Sequence, residues 1–274
     1  MKVRTLSWVV VGAIALGAIL LFNYWASFEP LSLLAYSGFV LTFAGLANLA
    51  IPFRFLGVSK RRAGALIAVG GAGLAVAALL WPAATTRVTQ HRNHLDDVMP
   101  EYQFSEIHTV RSRATPQRVI EAARESTWGD LRSLNTLLKV RAAMLHEPLQ
   151  NEGYFSPEKR VSDSFTASGY LSDTSDREFT MFGAVNTRLR RFVAVKDWRE
   201  FAEYRDEGTV KTAFDFRAED TGGGWTTITT ETRMMVYSAS TRDPAIYWRL
   251  IVPGSGLLRR EWLEGIRRRA ESGM

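Results

Sequence analysis

The chain contains no cysteine, so disulfide bonds, thiolate metal sites and cysteine nucleophiles are excluded. It also has no Walker motif, no HExxH and no GxGxxG that follows a strand pattern. There are only four histidines, and neither His108 nor His146 falls in a motif that pairs a nucleophile with its base. The sequence therefore gives no positive indication of catalysis. We expect no metal and no cofactor.

Acidic residues are nearly absent from the first third of the chain. Residues 1–86 carry six basic residues and one acidic residue, so they account for +5 of the net charge of +6. The remaining residues are almost neutral. A basic excess confined to an apolar segment does not form a nucleic-acid footprint, and we expect no nucleic-acid partner.

Three apolar runs lack charged residues in their interiors, at residues 7–25, 31–53 and 63–81. Each is close to the roughly 20 residues that cross a bilayer. The first run has the basic start of a signal peptide, but NYWASFEP places bulky residues where cleavage needs small ones. We therefore predict an uncleaved membrane domain of three transmembrane helices over residues 1–86.

Basic residues flanking the runs predict the orientation. Lys2 and Arg4 precede the first run and four basic residues lie at 54–62, whereas the first connection has none. The N-terminus is then cytoplasmic and the C-terminal domain extracytoplasmic. The third run is rich in glycine and alanine, which indicates close helix packing. Packing within the chain is favoured here over an oligomer contact.

Residues 87–101 are predicted to be a juxtamembrane linker. The segment holds four potential metal ligands, His91, His94, Asp96 and Asp97. A polar stalk would contain the same residue types, and we favour the stalk.

Residues 102–271 have the charge density of a globular domain. Residues 102–111 form a predicted strand, and Thr115 with Pro116 predicts a helix start. A second helix is predicted at 131–145. Four further strands are predicted at 165–171, 178–185, 210–218 and 225–237, the last two joined by EDTGGG. From Asp243 onward the spacing predicts a long helix whose apolar face includes Trp248, Ile251, Leu258, Trp262 and Ile266.

Alternation within 210–218 predicts that Phe214 and Phe216 face inward and that Lys211, Asp215 and Arg217 face solvent. Glu231 and Arg233 allow two interpretations. They are either an acid and its charge partner in an active site, or part of a solvent-exposed cross-strand ladder with Asp215 and Arg217. We favour the ladder.

Four segments resemble the START-like or SRPBCC helix-grip superfamily, in its polyketide cyclase-like branch. They are ATPQRVIEAARE, FAEYRDEGTVKTAFDF, TTITTETRMMV and YWRLIVPGSGLLRREWLEGIRRRA. The resemblance implies an α+β domain over 102–271, in which a curved antiparallel sheet wraps a long C-terminal helix and encloses an apolar cavity. The residues expected to line the ligand pocket are Phe214, Phe216, Met234, Val236, Trp248 and Ile251. A three-span anchor departs from this family, whose members are mostly soluble.

Three local features have alternative interpretations. Residues 253–256, PGSG, are either a phosphate cradle or a bend after which Ser255 caps a helix restarting at Leu257. We favour the bend because no strand precedes it. DWREFAEY forms either a lid or ordinary core. The arginines of RLRRF and of 267–269 either bind lipid headgroups or lie on solvated faces balanced by acidic residues.

The leading functional hypothesis is a membrane-anchored START-like domain that binds a hydrophobic or amphipathic small molecule, such as a lipid, at the membrane surface. One alternative is an enzyme of cyclase or hydrolase type that uses the same pocket. Another is a structural envelope protein that contacts a second protein.

Overall fold

The computed structural model describes residues 29–50, 61–131, 133, 155–238 and 242–272. The chain forms two compact units. The first comprises Met1–Pro82 and Arg242–Pro253, and the second comprises Ala83–Thr241 and Gly254–Met274. The C-terminal helix thus contributes its first part to one unit and its remainder to the other.

The first unit contains two helices, α1 (Pro30–Ala50) and α2 (Arg61–Leu80), each long and apolar enough to cross a membrane. They correspond to the second and third predicted spans, and the first span lies outside the described residues. Their contact is built from small residues. A Cβ added to Gly45 would clash with the Ala68 nitrogen, and one added to Gly71 would lie 2.6 Å from the Thr42 nitrogen. Small residues therefore let the two backbones approach closely within one chain.

The start of the C-terminal helix packs in this first unit through Arg249. Its Nη1 donates to the carbonyl oxygens of Leu79 (2.8 Å) and Trp81 (2.7 Å), and its Nε lies 3.6 Å from a Glu29 carboxylate oxygen. Arg249 thus caps the end of α2, where backbone carbonyls lack helical partners. Arg249 is only 1% exposed.

The second unit is a mixed α+β fold. Along the described chain it contains β1 (Thr86–Arg87), α3 (His94–Val98), β2 (Glu101–Tyr102), β3 (Phe104–Ser112), α4 (Pro116–Glu125), α5 (Val161–Ala167), β4 (Leu171–Thr174), β5 (Glu178–Asn186), β6 (Arg191–Phe192), α6 (Trp198–Glu203), β7 (Thr209–Gly222), β8 (Trp225–Tyr237) and the C-terminal helix α7 (Arg242–Glu271). A short 3-10 helix follows α4 at Trp128–Asp130.

Among the described residues, one antiparallel sheet of six strands dominates the second unit. Its order is β3-β8-β7-β5-β4, and β6 pairs with β5. β1 and β2 form a separate two-stranded sheet. The β7–β8 hairpin turns at Gly223 and Gly224, whose φ angles of 62° and 73° favour glycine. This hairpin confirms the one predicted from EDTGGG.

Most local predictions for this unit are confirmed. The strands predicted at 102–111, 178–185, 210–218 and 225–237 correspond to β3, β5, β7 and β8. Thr115 caps α4 by accepting a hydrogen bond from the Arg118 nitrogen at 3.4 Å, and Pro116 stands at its start. The helix predicted at 131–145 lies almost entirely outside the described residues.

Two local predictions are wrong. Residues 165–171 were predicted as a strand, but α5 occupies Val161–Ala167 and β4 begins only at Leu171. The aromatic and threonine residues there suggested a strand, whereas Phe165 packs from a helix against Phe214 and Trp262. The restart at Leu257 is also wrong, because α7 runs without interruption through Pro253.

The two faces of the large sheet carry separate cores. The inner face, which carries Phe214 and Phe216, packs against the Gly254–Met274 part of the chain, as the core side chains Trp262, Leu263 and Ile266 show. The outer face packs against α3 and α6. Its core contains Leu95, Val98, Met99, Phe182, Ala184, Phe201, Ala213 and Met235. A sheet covered on one face only was expected, but this sheet is covered on both.

The predicted linker takes part in the outer core. Leu95 and Val98 of α3 are fully buried, and Asn93 caps this short helix by accepting a hydrogen bond from the Asp96 nitrogen. Residues 94–99 are therefore integrated into the globular unit and do not form a bare polar stalk.

Candidate functional site

The six predicted pocket residues are divided between the two units. Phe214 and Phe216 of β7 lie on the inner face, and Met234 and Val236 of β8 share that face by register. Trp248 and Ile251 belong to the part of α7 that is assigned to the first unit. The structure therefore places four of the six residues on one face of the sheet.

Side chains already fill the part of the inner face beside Phe214 and Phe216. The Trp262 ring lies 5.8 Å from the Phe214 ring and 4.7 Å from the Phe216 ring, centroid to centroid. Phe165 stacks 6.5 Å from the same Trp262 ring. The Trp262 indole N–H donates to the Ser126 hydroxyl at 2.7 Å, which fixes the ring in place. These aromatic residues form a packed core rather than a lining.

The opposite half of the inner face is polar. Glu106 and His108 of β3 are buried on this half of the face, and the Glu106 carboxylate contacts both His108 and Ser255. His108 Nε2 lies 2.7 Å from Glu106 Oε1, and the Ser255 hydroxyl of α7 donates to Glu106 Oε2 at 2.8 Å. We call Glu106, His108, Ser255 and the nearby Arg259 the inner-face polar cluster.

Sheet register relates the polar cluster to the aromatic core. One row across the strands contains Glu106, Thr232, Phe214 and Met181, in that order. The next row contains His108, Thr230, Phe216 and Phe179. Each row therefore passes from polar to aromatic side chains within three strands. The inner face is amphipathic across its width.

Arg259 of α7 lies above this boundary. Its guanidinium carbon is 4.3 Å from the Phe214 ring centroid and 5.3 Å from that of Trp262. Its Nη1 is buried and has no hydrogen-bond partner, and none of the ion pairs found among the described residues includes Arg259. Burial lowers the pKa of Arg259 to about 10, so the side chain remains a cation at neutral pH.

The outer face carries a chain of alternating charges. Arg217 contacts Asp215 (3.2 Å) and Glu231 (3.1 Å), while Arg233 contacts Glu231 (2.6 Å) and Asp96 (2.7 Å). The predicted cross-strand ladder is therefore present. Its predicted exposure to solvent is wrong, because Asp215 is fully buried and Arg233 is 4% exposed. Burial raises the pKa of Asp215 well above its ordinary value, and Arg217 opposes that shift.

Lys211 was also predicted to face solvent, and this prediction is wrong. It is 2% exposed, its Nζ donates to the Ala202 carbonyl at 3.0 Å, and it lies 4.5 Å from the Phe201 ring centroid. Burial lowers its pKa to about 8. Phe201 belongs to DWREFAEY, so the structure supports the core interpretation of that segment. The outer face also has a groove of about 490 Å³, with the paired Arg217 and Arg233 in its lining.

The histidines of the former linker are engaged with carboxylates. His91 Nδ1 lies 2.6 Å from Asp97 Oδ1, and His94 Nε2 lies 3.1 Å from Asp173 Oδ2. Asp96 pairs with Arg233 instead of joining them. Among the described residues, no group of three or more histidine, aspartate or glutamate side chains is arranged to hold a metal ion.

Three of the six arginines in the two basic clusters lie in ion pairs. Arg188 lies 3.2 Å from Glu207, Arg267 lies 2.7 Å from Glu264, and Arg269 lies 2.9 Å from Asp130. These contacts support the interpretation of balanced, solvated faces. Residues 253–256 lie within a continuous helix, and the Ser255 hydroxyl donates to the Glu106 carboxylate. These two observations remove the basis for a phosphate cradle at this segment.

Three residues of the inner-face polar cluster, Glu106, Ser255 and Arg259, were not predicted as site residues, although the sequence contains a signal for two of them. Arg259 is separated from Trp262 and Ile266 by three and seven residues, which places it on their helix face. In the same way, Glu106 lies two residues after Phe104 and therefore shares its face of β3. A charged residue on a buried apolar face is the informative exception to the pattern.

Comparisons with known proteins give limited information. No protein-family model matches the chain, and no curated protein matches it. Matches among solved structures include a hypothetical protein, jhp0584, of Helicobacter pylori, with 12% identity and a TM-score of 0.33 over 68% of this chain and 99% of that one. They also include CalU16 of Micromonospora echinospora, with 16% identity and a TM-score of 0.22 over 70% of this chain and 94% of that one. Scores this low establish neither a family nor a function.

Proposed function

We propose that this protein is a membrane-anchored, START-like binding domain that holds a hydrophobic or amphipathic small molecule at the membrane surface. The ligand contacts the inner face of the sheet. The amphipathic character of that face carries the proposal, because Glu106 and His108 stand in the same rows as Phe214 and Phe216. A ligand site of this kind is mostly apolar with a few convergent polar groups.

The proposed ligand position differs from the one expected from sequence. Trp262 covers Phe214 and Phe216, so these two rings form the core next to the proposed site and do not contact the ligand. Met234 and Val236 lie on the same face, toward the ends of β8 and β3 that are farther from the β7–β8 turn. We place the apolar part of the ligand against these two residues and its polar part against the inner-face polar cluster.

The membrane anchor rests on the first unit. Most large side chains of α1 and α2 point outward and are exposed, among them Val40, Phe43, Leu66 and Val69. Less than a third of each apolar window is buried, which is unlike the core helix of a soluble protein. Together with the span predicted at 7–25, these helices give a three-span anchor. The flanking basic residues give a cytoplasmic N-terminus and an extracytoplasmic sheet unit.

Mass spectrometry of small molecules extracted from the purified full-length protein tests the binding function. We expect an apolar or amphipathic molecule to co-purify with the wild type. Met234→Trp, which fills the inner face, should abolish its recovery. Ile107→Trp is the matched control, because Ile107 is 53% exposed and lies on the outer face of β3. Recovery that is equal in both variants, or no ligand above the detergent background, would contradict the proposal.

A reporter that is active only in the cytoplasm, fused after Met274, tests the orientation. We expect no reporter activity. An active fusion would reverse the proposed topology and leave the binding function to be decided by the extraction experiment.

The Glu106–His108 pair favours a second candidate function, an enzyme that uses the same site. A buried carboxylate 2.7 Å from an imidazole can orient it for proton transfer. If this candidate is correct, His108→Gln should abolish turnover of the co-purified molecule while its binding is retained. Equal turnover in wild type and variant would exclude His108 as the base.

A further inference from the structure

Arg259 is partly buried and makes no ion pair with any residue in the part of the chain that the structure describes. Its Nη1 is enclosed by protein and has no hydrogen-bond partner. A buried guanidinium normally pairs with a carboxylate, because desolvation of an unpaired charge is costly. The chain illustrates the normal case on its other face, where Arg217 and Arg233 each contact two carboxylates.

The nearby carboxylate of Glu106 attracts Arg259 electrostatically but makes no direct hydrogen bond or ion pair with it among the described residues. The two carboxylate oxygens contact His108 and Ser255, at 2.7 and 2.8 Å. The direct contacts of the Arg259 guanidinium are the rings of Phe214 and Trp262, which attract a cation but accept no conventional hydrogen bond. The buried Nη1 of Arg259, one of the donors of its guanidinium, is therefore held beside aromatic rings without an acceptor.

Thr232 provides a second unsatisfied polar group beside the same ring. It is 6% exposed, and its Oγ1 is buried without a hydrogen-bond partner. Thr232 pairs with Phe214 in the sheet register and faces inward with it. Arg259 and Thr232 thus each leave a polar group unpaired next to Phe214. Buried polar groups are usually satisfied, so two exceptions at one place point to a ligand.

We propose that the ligand carries an acidic head, a carboxylate or a phosphate monoester, and that this head binds to Arg259 with the Thr232 hydroxyl as a second donor. The inference rests on the proposed binding function and specifies its ligand class. An oxyanion matches the donors on both residues, since a guanidinium binds carboxylate and phosphate in a fork geometry. The Phe214 and Trp262 rings hold the guanidinium in place before the ligand arrives.

The test compares an acid with the alcohol of the same chain length. Radiolabelled oleate and oleyl alcohol are equilibrated with the full-length protein in phosphatidylcholine nanodiscs, and empty nanodiscs give the background. Arg259→Gln should weaken oleate binding by about tenfold or more, because a hydrogen bond to a charged group is lost. Its effect on oleyl alcohol should be less than about threefold, the level of an uncharged contact.

Three further variants sharpen the result. Arg259→Lys keeps the charge but loses the fork, so oleate binding should fall to a value between wild type and Arg259→Gln. Arg268→Gln is the matched control, since Arg268 is exposed in the last turn of the same helix. It should bind both ligands as the wild type does. Thr232→Val should weaken oleate more than oleyl alcohol.

The outcomes separate the inference from the function on which it rests. If Arg259→Gln weakens both ligands equally, or leaves oleate binding unchanged, the acidic-head inference is overturned while apolar binding stands. If the wild type binds neither ligand above empty nanodiscs, both proposals fail. If acetate or inorganic phosphate competes with oleate at equal concentration, the oxyanion site is supported, but its ligand is a free anion and the apolar body is overturned.

Discussion

Replacing Arg233 with methionine is expected to destabilise the sheet unit by about 3–5 kcal/mol. Arg233 connects α3 to the sheet through all three nitrogens of its guanidinium group. Nε and Nη2 contact Glu231 and Asp96, and Nη1 donates to the Met99 carbonyl at 3.2 Å. Methionine has a similar volume, so the substitution removes the charge and the hydrogen bonds without leaving a large cavity.

The magnitude follows from what the substitution leaves behind. Glu231 and Asp96 are both buried, and each loses its contact with Arg233. Removing one partner of a buried ion pair leaves an uncompensated charge, whereas an exposed pair contributes only about 0–1 kcal/mol. For a unit of this size, the predicted loss corresponds to a fall in melting temperature of roughly 6–20 °C.

Thermal unfolding of the full-length protein in detergent, followed by near-ultraviolet circular dichroism, measures the effect. Arg118→Met is the matched control, because Arg118 pairs with Glu121 on the exposed face of α4. The double variant Arg233→Met with Asp96→Asn should recover part of the loss, since it removes the carboxylate charge that loses its ion-pair partner, whereas Glu231 keeps its contact with Arg217. If Arg233→Met costs no more than the control, the outer-face ladder acts as a surface ladder and the argument from burial is refuted.

Three further predictions concern other buried positions. Burial lowers the pKa of Lys211 to about 8, so the folded state binds fewer protons than the unfolded state between pH 8 and about 10. The free energy of unfolding of the wild type, measured in urea, should therefore rise across that pH range. Lys211→Met should lack this rise. Gly45→Ala should lower the melting temperature of the helix pair, because its Cβ meets the Ala68 nitrogen, whereas Gly70→Ala, with nothing within 4 Å, should not. Arg259→Met should leave the ligand-free protein at least as stable as the wild type, and a clear loss of stability would mean that Arg259 has a structural partner.

Local sequence signals were sufficient for the elements that depend on them. The β7–β8 hairpin follows from strand alternation and the glycines at its turn, and α4 follows from the Thr115 cap and Pro116. These features are determined by neighbours along the chain. Phe165 shows the limit, because its helix is favoured by packing against Phe214 and Trp262, which lie far away in sequence.

The sequence could show which residues share a sheet face but not what covers that face. Alternation correctly grouped Lys211, Asp215 and Arg217 opposite the phenylalanines. Their burial depends on α6, which covers Lys211, and on α3, a five-residue helix in a segment whose polar composition predicted a linker. Two apolar side chains, Leu95 and Val98, are enough to dock it. Such a short apolar pattern cannot be distinguished from a stalk without the tertiary contact.

Arg233 and Arg259 show how burial of the same residue type can have opposite meanings. Arg233 finds two carboxylates and backbone carbonyls, so its burial is compensated within the fold, and its removal is costly. Arg259 finds two aromatic rings and leaves Nη1 unpaired, so the fold gains little from its charge. Binding sites often keep groups that are unfavourable for stability, since the ligand supplies the missing partner. The unpaired arginine, more than the apolar residues around it, is therefore the feature that favours the proposed binding site over an ordinary core on the inner face.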